Sequence, residues 1–263
     1  MNIREQVLYA LEQTDINQKI NTVNTINVSQ QVLDTSQILI PSRPLPGRPI
    51  KPELVDPKTV NFRSVGSQQG RASLLHAIAH IEFNAINLAL DIIWRFPNMP
   101  EQFYLDWLRV AKEECYHFGL IREHLQSIGF DYGDFSAHNG LWDMSEKTSN
   151  DLLARLGLVP RTLEARGLDV NPGMQEKFKQ IGDTKAVEIL EIILRDEIGH
   201  VEIGNRWYQY MCNLHQLDPI DCYANLLIQY GTNKPKGPFN IRDRKKAGFT
   251  QAEIDWLQSK EGI

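Results

Sequence analysis

Apolar residues recur at three- and four-residue spacing through the middle of the chain, with polar residues filling the intervening positions. That period marks amphipathic helix. It predicts a first long helix over 70–96, with Pro97 just beyond as a stop. A second opens near Pro100, carries Glu101 in its first turn and runs to Gly129, which suits a C-terminal cap. A third begins near Ser149, meets Pro160 and continues, kinked, to Gly167. After Asn171-Pro172-Gly173 a fourth covers 174–214, with a break at Gly182-Asp183. No strand-period segment of comparable length appears, so the fold class is all-α.

The rest of the chain is less regular. Residues 1–13 read as a short amphipathic helix, whereas 14–37, rich in Asn, Gln, Thr and Ser, give no assignable element. Pro41, Pro44, Pro46, Pro49, Pro52 and Pro57 rule out helix and predict an extended passage over a surface. Residues 130–147 form a long polar connection, and Thr250 with Glu253 makes a capping box that opens a short terminal helix. Short links join helices one to two and three to four, and a long one joins two to three. Four such helices form a bundle with a crossover. The organisation expected is therefore 1–68 as helix and proline-rich wrap, 69–214 as bundle, and 215–263 as a C-terminal extension.

Charged residues break the apolar stripes in a pattern. Glu114-Cys115-Tyr116-His117 and Glu197-Ile198-Gly199-His200 are two copies of Glu-x-x-His, and positions three apart share a helix face. Glu114 and His117 interrupt the stripe Trp107, Ala111, Phe118, Ile121, Leu125; Glu197 and His200 interrupt Leu190, Leu194, Val201, Gly204, Tyr208. Glu82 interrupts Leu75, Ile78, Ala79, Ala85, Ile86 and Ala89 in the first helix. Buried carboxylates are paired, protonated or given a metal. Several of them with two imidazoles make the ligand set of a carboxylate-bridged two-metal site. Glu164, which follows Leu153, Leu156 and Pro160, is the third-helix candidate; Glu188 and Glu191 lie on other faces from Glu197. Glu113 and Asp196 precede the motif glutamates and are expected to take the second ring N–H of the histidines crosswise, Asp196 from His117 and Glu113 from His200. His76 and His80 sit on a different face from Glu82 and read as packed residues or as supports behind the ligands. Cys115 faces away from the ligands.

Composition narrows the function. At 263 residues, 42% hydrophobic and 23% charged, the chain is ordinary for a globular protein, and its net charge of −5 gives no global field favouring nucleic acid. Three cysteines without paired Cys-x-x-Cys spacing fit reduced thiols in a cytoplasmic protein and leave no mononuclear iron site of the rubrerythrin kind. No signal peptide and no uncharged apolar run long enough to span a membrane is expected. Arg43 and Arg48 in the proline-rich passage, and Arg242 and Arg244 in a basic cluster with Lys234, Lys236, Lys245 and Lys246, are candidate contacts for an anionic substrate.

The passages Leu75-His-Ala-Ile-Ala-His-Ile-Glu82, Pro160-Arg-Thr-Leu-Glu-Ala-Arg-Gly167 and Arg195-Asp-Glu-Ile-Gly-His200 carry a resemblance. The ligand order resembles the ferritin-like superfamily, and the passages are similar to a bacterial family known as domain of unknown function 455, over roughly 40–250. The resemblance implies a ferritin-like di-iron carboxylate bundle, distantly similar to the bacterial tRNA hydroxylase that acts on a hypermodified adenosine. It implies two iron ions, or manganese in their place, and oxygen-activating oxidase or hydroxylase chemistry, with no catalytic residue outside the metal site. The substrate would be a small molecule or nucleoside, an external donor would supply electrons, and the chain would be a monomer or small homo-oligomer. Ferroxidase and iron storage, peroxide handling by a di-manganese bundle, and a non-enzymatic bundle whose charged interior is structural are the competing readings.

Overall fold

A computed structural model describes residues 2–27, 34–59 and 64–259; part of the unassigned stretch 14–37 lies outside them. Among the described residues the regular elements are all helices, without a strand; a single parallel bridge links Leu54 and Ala137. It divides into two compact units, 1–142 and 143–263, so the boundary falls inside the region expected as one bundle.

In the first unit α1 (Ile3–Glu12) starts at Asn2 with a capping box to Glu5 and buries Ile3, Val7, Leu8 and Leu11. Helix α2 (Ile16–Thr25) is capped by Asp15. The long α3 (Gln68–Arg95) and α4 (Glu101–Ser127) pack along their length. Five residues turn the chain between them. There the Tyr104 hydroxyl donates to Phe96 O at 2.9 Å and accepts from Met99 N–H at 3.0 Å. Helix α3 is long and apolar enough to cross a membrane, but 83% of its most apolar window is buried, as in the core helix of a globular unit.

Two buried cations organise the N-terminal segments. Arg4 donates to Ile93 O and Trp94 O at the C-terminal end of α3, where unpaired carbonyls and the helix dipole favour a cation, and to the backbone of Thr35 and Gln37. Lys19 donates to Leu11 O at 3.0 Å and to Asn87 Oδ1 at 2.7 Å, locking α2 to α1 and α3. The proline-rich passage is non-helical over 41–52, as its composition requires, but Pro57, against expectation, opens a 3-10 turn over Pro57–Thr59. The passage crosses the end of α1 through Gly47, whose N–H donates to Leu11 O at 2.8 Å. A Cβ there would lie 2.3 Å from Glu12 O, so only glycine permits this approach.

The second unit contains α5 (Gly140–Lys147), which starts three residues before the boundary, α6 (Leu152–Leu158), a π-helical turn (Val159–Glu164), α7 (Ala165–Gln180) and α8 (Thr184–Leu214). Three short helices follow: α9 (Pro219–Gln229), α10 (Ile241–Lys246) and α11 (Gln251–Gln258), the last opening on the Thr250–Glu253 capping box.

Three expectations need correction. Asn171-Pro172-Gly173 does not end the third helix, because Pro172 lies inside α7. The proline removes the N–H that would have bonded to Leu168 O, and Asn240 Nδ2 takes that carbonyl instead at 3.1 Å. The 130–147 connection is not wholly irregular, since it ends in α5. At Pro160 the helix widens into the π turn rather than merely bending. Gly204 of α8 makes room for it: a Cβ would meet Pro160 Cβ at 2.5 Å. Arg161 of this turn is buried, donating to Asn205 Oδ1 at 2.8 Å and to Glu253 Oε1 at 2.5 Å, among the rings of Tyr208, Tyr223 and Phe249.

Candidate metal centre

The first unit brings three of the expected ligands together. Glu82 stands in the middle of α3, flanked on its stripe by buried Ile78, Ala79, Ala85 and Ile86; Glu114 and His117 stand one turn apart on α4 beside Ala111, Phe118 and Ile121. All three are buried, at 4%, 1% and 0% exposure. His117 Nδ1 lies 3.4 Å from Glu82 Oε2 and 3.6 Å from Glu114 Oε2. One ligand atom from each residue falls within 4.8 Å of the others, close enough to hold one metal ion.

The electrostatics of this group are unusual. Burial, and then the charge of Glu114, push the Glu82 carboxyl up to about 7. Burial alone would lower His117, but Glu114 and Glu82 outweigh it and push the imidazole up to about 11. The metal-free group therefore keeps protons at neutral pH that a divalent ion must displace. Glu82 Oε2 has no hydrogen-bond partner among the described residues. A buried acceptor left this way costs free energy unless something else binds it.

The second unit carries the other motif. His200 is fully buried on α8, with Nδ1 3.4 Å from Oε1 of Glu197, whose side chain is 13% exposed. Glu164 closes the π turn that packs on α8, and its Oε2 is buried. Glu114 is the fourteenth residue of α4 and Glu197 the fourteenth of α8. Glu114 follows Glu82 by 32 residues, and Glu197 follows Glu164 by 33. Glu164 is thus placed in its helix pair much as Glu82 is in its own, a spacing visible in the sequence.

The surrounding residues separate by role. Glu113 accepts from Arg109 Nε at 3.0 Å, and Asp196 takes both forks of Arg195 at 2.8 and 3.1 Å. His80 bonds to the Tyr132 hydroxyl at 2.8 Å and to His138 O at 3.0 Å, and His76 stacks on Tyr132, so both are packed residues. Cys115 is buried, and burial pushes its thiol up to about 12. Arg43 is exposed, while Arg48 faces a cavity of the first unit. Arg244 does not fit the substrate role expected of it. It is buried in a two-pronged pair with Asp169 at 2.9 and 2.8 Å, so its donors serve the fold. Arg242 is exposed beside Asp243, Lys246 pairs with Asp243, and Lys234 bonds to Ser259 over the Trp256 ring. The basic run is partly neutralised and does not form one open face.

Residues 12–255 match the family model described as "Protein of unknown function (DUF455)". The chain belongs to that family. A relative from Haemophilus influenzae is 47% identical over 270 residues, covering 98% of this chain and 94% of its own length, and is described as an uncharacterized protein. No solved structure matches the chain.

Proposed function

We propose that this DUF455 chain is a non-haem di-iron carboxylate protein that activates dioxygen to oxidise or hydroxylate an organic substrate. The observation that carries the reading is Glu82: a buried carboxylate with an oxygen lacking a hydrogen-bond partner, beside Glu114 and His117. Divalent cation binding would compensate both the unmet acceptor and the repulsion between the two carboxylates.

Glu82, Glu114 and His117 are assigned to one half of the centre, and Glu164, Glu197 and His200 to the other. The proposed architecture is ferritin-like: α3 and α4 form one helix pair, and α8 pairs with the rod of α6, the π turn and α7. Carboxylate oxygens and imidazole nitrogens suit iron, with manganese as the ion the same donors also accept. When bound, two adjacent ferrous ions supply the electrons for two-electron reduction of dioxygen. The protein contributes a dry wall of Ala79, Ile86, Phe118 and Ile121 around the first-unit ligands, all of them buried. Glu113 and Asp196 retain their assignment as acceptors for the histidines' second N–H, since a carboxylate accepts several bonds and the arginine pairs do not exhaust it. An external reductant completes the reaction.

The test is anaerobic titration of the purified chain with Fe(II), metal analysis after desalting, and then oxygen uptake. We expect close to two irons per chain and uptake on exposure to oxygen. Glu114→Ala and His200→Ala should lose both while retaining the far-UV circular dichroism of the parent. Full iron loading and oxygen uptake in these variants would refute the assignment.

A further inference from the structure

We propose that the proline-rich passage of the first unit builds a binding site for a small organic carboxylate with an apolar body, anchored by Arg48. The passage and the outer side of α3 enclose a cavity of about 290 Å³. That is room for roughly ten waters, at the lower end of the range for small-molecule sites. The inference stands on the first unit alone and needs no metal.

The cavity's polar and apolar groups are segregated. Its deep wall is made by His80, Phe83, Asn84 and Tyr132. His80, Phe83 and Asn84 are 9%, 2% and 3% exposed, whereas Ile50 and Leu54 at the mouth are 100% and 39% exposed. His80 and Tyr132 spend their polar atoms on each other, and the second nitrogen of His80 meets His138 O. Burial holds His80 down at about 4 and raises Tyr132, so both stay neutral at pH 7. The wall is therefore rigid and uncharged.

Arg48 is the cation that faces this wall. Its guanidinium sits 5.8 Å from the Trp142 ring centre, with Nη2 buried, and its field reaches both His80 and Tyr132. A guanidinium has five N–H donors in a fork that matches a carboxylate, so it can hold its protein neighbours and a ligand together. Glu53 is the only anion lining the cavity among the described residues, and it is exposed, so solvent screens it. At the mouth Ile50, Pro49 and Leu54 offer apolar surface that a ligand's body would cover. The backbone that carries Arg48 is fixed on both sides, by Gly47 to Leu11 and by Val55 to Ala137, each at 2.8 Å. The site is thus held ready rather than assembled by the ligand.

Isothermal titration of the full chain with benzoate, and separately with its neutral counterpart benzyl alcohol, tests this. Benzoate should bind saturably, with benzyl alcohol at least about tenfold weaker, the usual worth of a charge-assisted hydrogen bond. Arg48→Gln should weaken benzoate by about the same factor. Leu54→Glu, on an exposed position that leaves the core intact, should also weaken it by placing a like charge at the mouth. If Arg48→Gln fails to fold, the Leu54→Glu result and the benzyl alcohol comparison decide. Equal binding of acid and alcohol, no saturable benzoate binding, or full affinity in Leu54→Glu would overturn the proposal. Benzoate binding must also persist in Glu114→Ala. Its loss there would assign the acid to the metal ligands and overturn the cavity site, whereas its persistence leaves this site standing even if the iron assignment fails.

Discussion

Lys19 is the residue whose environment most changes what the chain does with pH. Its ammonium is fully buried, and burial, the largest effect, pushes it down to about 7; Cys115 opposes and Arg48 adds to the shift. The unfolded chain holds the same proton to beyond pH 10. Between these values the unfolded state binds more protons, so the stability contribution rises with pH from about 7 upward and is flat below it. Relative to Lys19→Met, the parent should gain about 2 kcal/mol of unfolding free energy between pH 7 and pH 9. Urea unfolding of both proteins at pH 7, 8 and 9 reads this directly; a constant difference would mean that the folded lysine keeps its proton. Nothing in the pattern of 14–37 marked Lys19 as buried, because the Asn- and Gln-rich run around it has no clean apolar period. Glu82, Glu114 and His117 were legible for the opposite reason. Each replaces an expected leucine on a long regular stripe, and three-residue spacing fixes which side chains share a face.

At the scale of elements, regular helices were readable and their interruptions were not. The C-terminal end of α3 and both ends of α4 follow from Pro97, Pro100 and Gly129, whose local chemistry sets them, whereas the Ser67 cap starts α3 two residues before the position read from the pattern. Helix α9 had an equally local signal, Asp218 as cap with Pro219 behind it, but lies beyond the four-helix pattern that organised the reading. Continuation through Pro172 depends on Asn240, 68 residues away, and no local rule reaches that far. The π turn at Pro160 likewise depends on a distant partner, Gly204. Gly204→Ala should therefore destabilise the chain by about 1–3 kcal/mol, because the added methyl overlaps Pro160 and the packed turn must shift. Gly119→Ala is the matched control. It too is a glycine inside a long helix, but a Cβ meets nothing within 4 Å, and removing glycine's backbone freedom should be neutral or stabilising by up to about 1 kcal/mol. Chemical denaturation of the pair checks the contrast, and equal effects would remove the special role of the Pro160 contact.

For the whole molecule the central question is whether the two units serve one centre. Each offers the same set: a glutamate on one helix and a Glu-x-x-His on the next, at closely matched positions along the rods. Neither set alone supplies what two metal ions need, which is why the proposed function joins them. Mn(II) electron paramagnetic resonance separates a joint centre from two independent ones, because neighbouring manganese ions couple and isolated ions do not. The loaded parent should show the coupled signal. Glu82→Gln in the first unit and Glu197→Gln in the second should each abolish it, and each should lower the metal content by more than the share of one ligand set. Two independent sites would instead leave, in either variant, a single ion held by the untouched unit with an uncoupled spectrum. Those spectra, obtained with folded variants, would break the shared centre while leaving each unit its own metal-binding group. A coupled signal in the parent, together with loss of both ions rather than one in each variant, is the outcome expected of the shared centre.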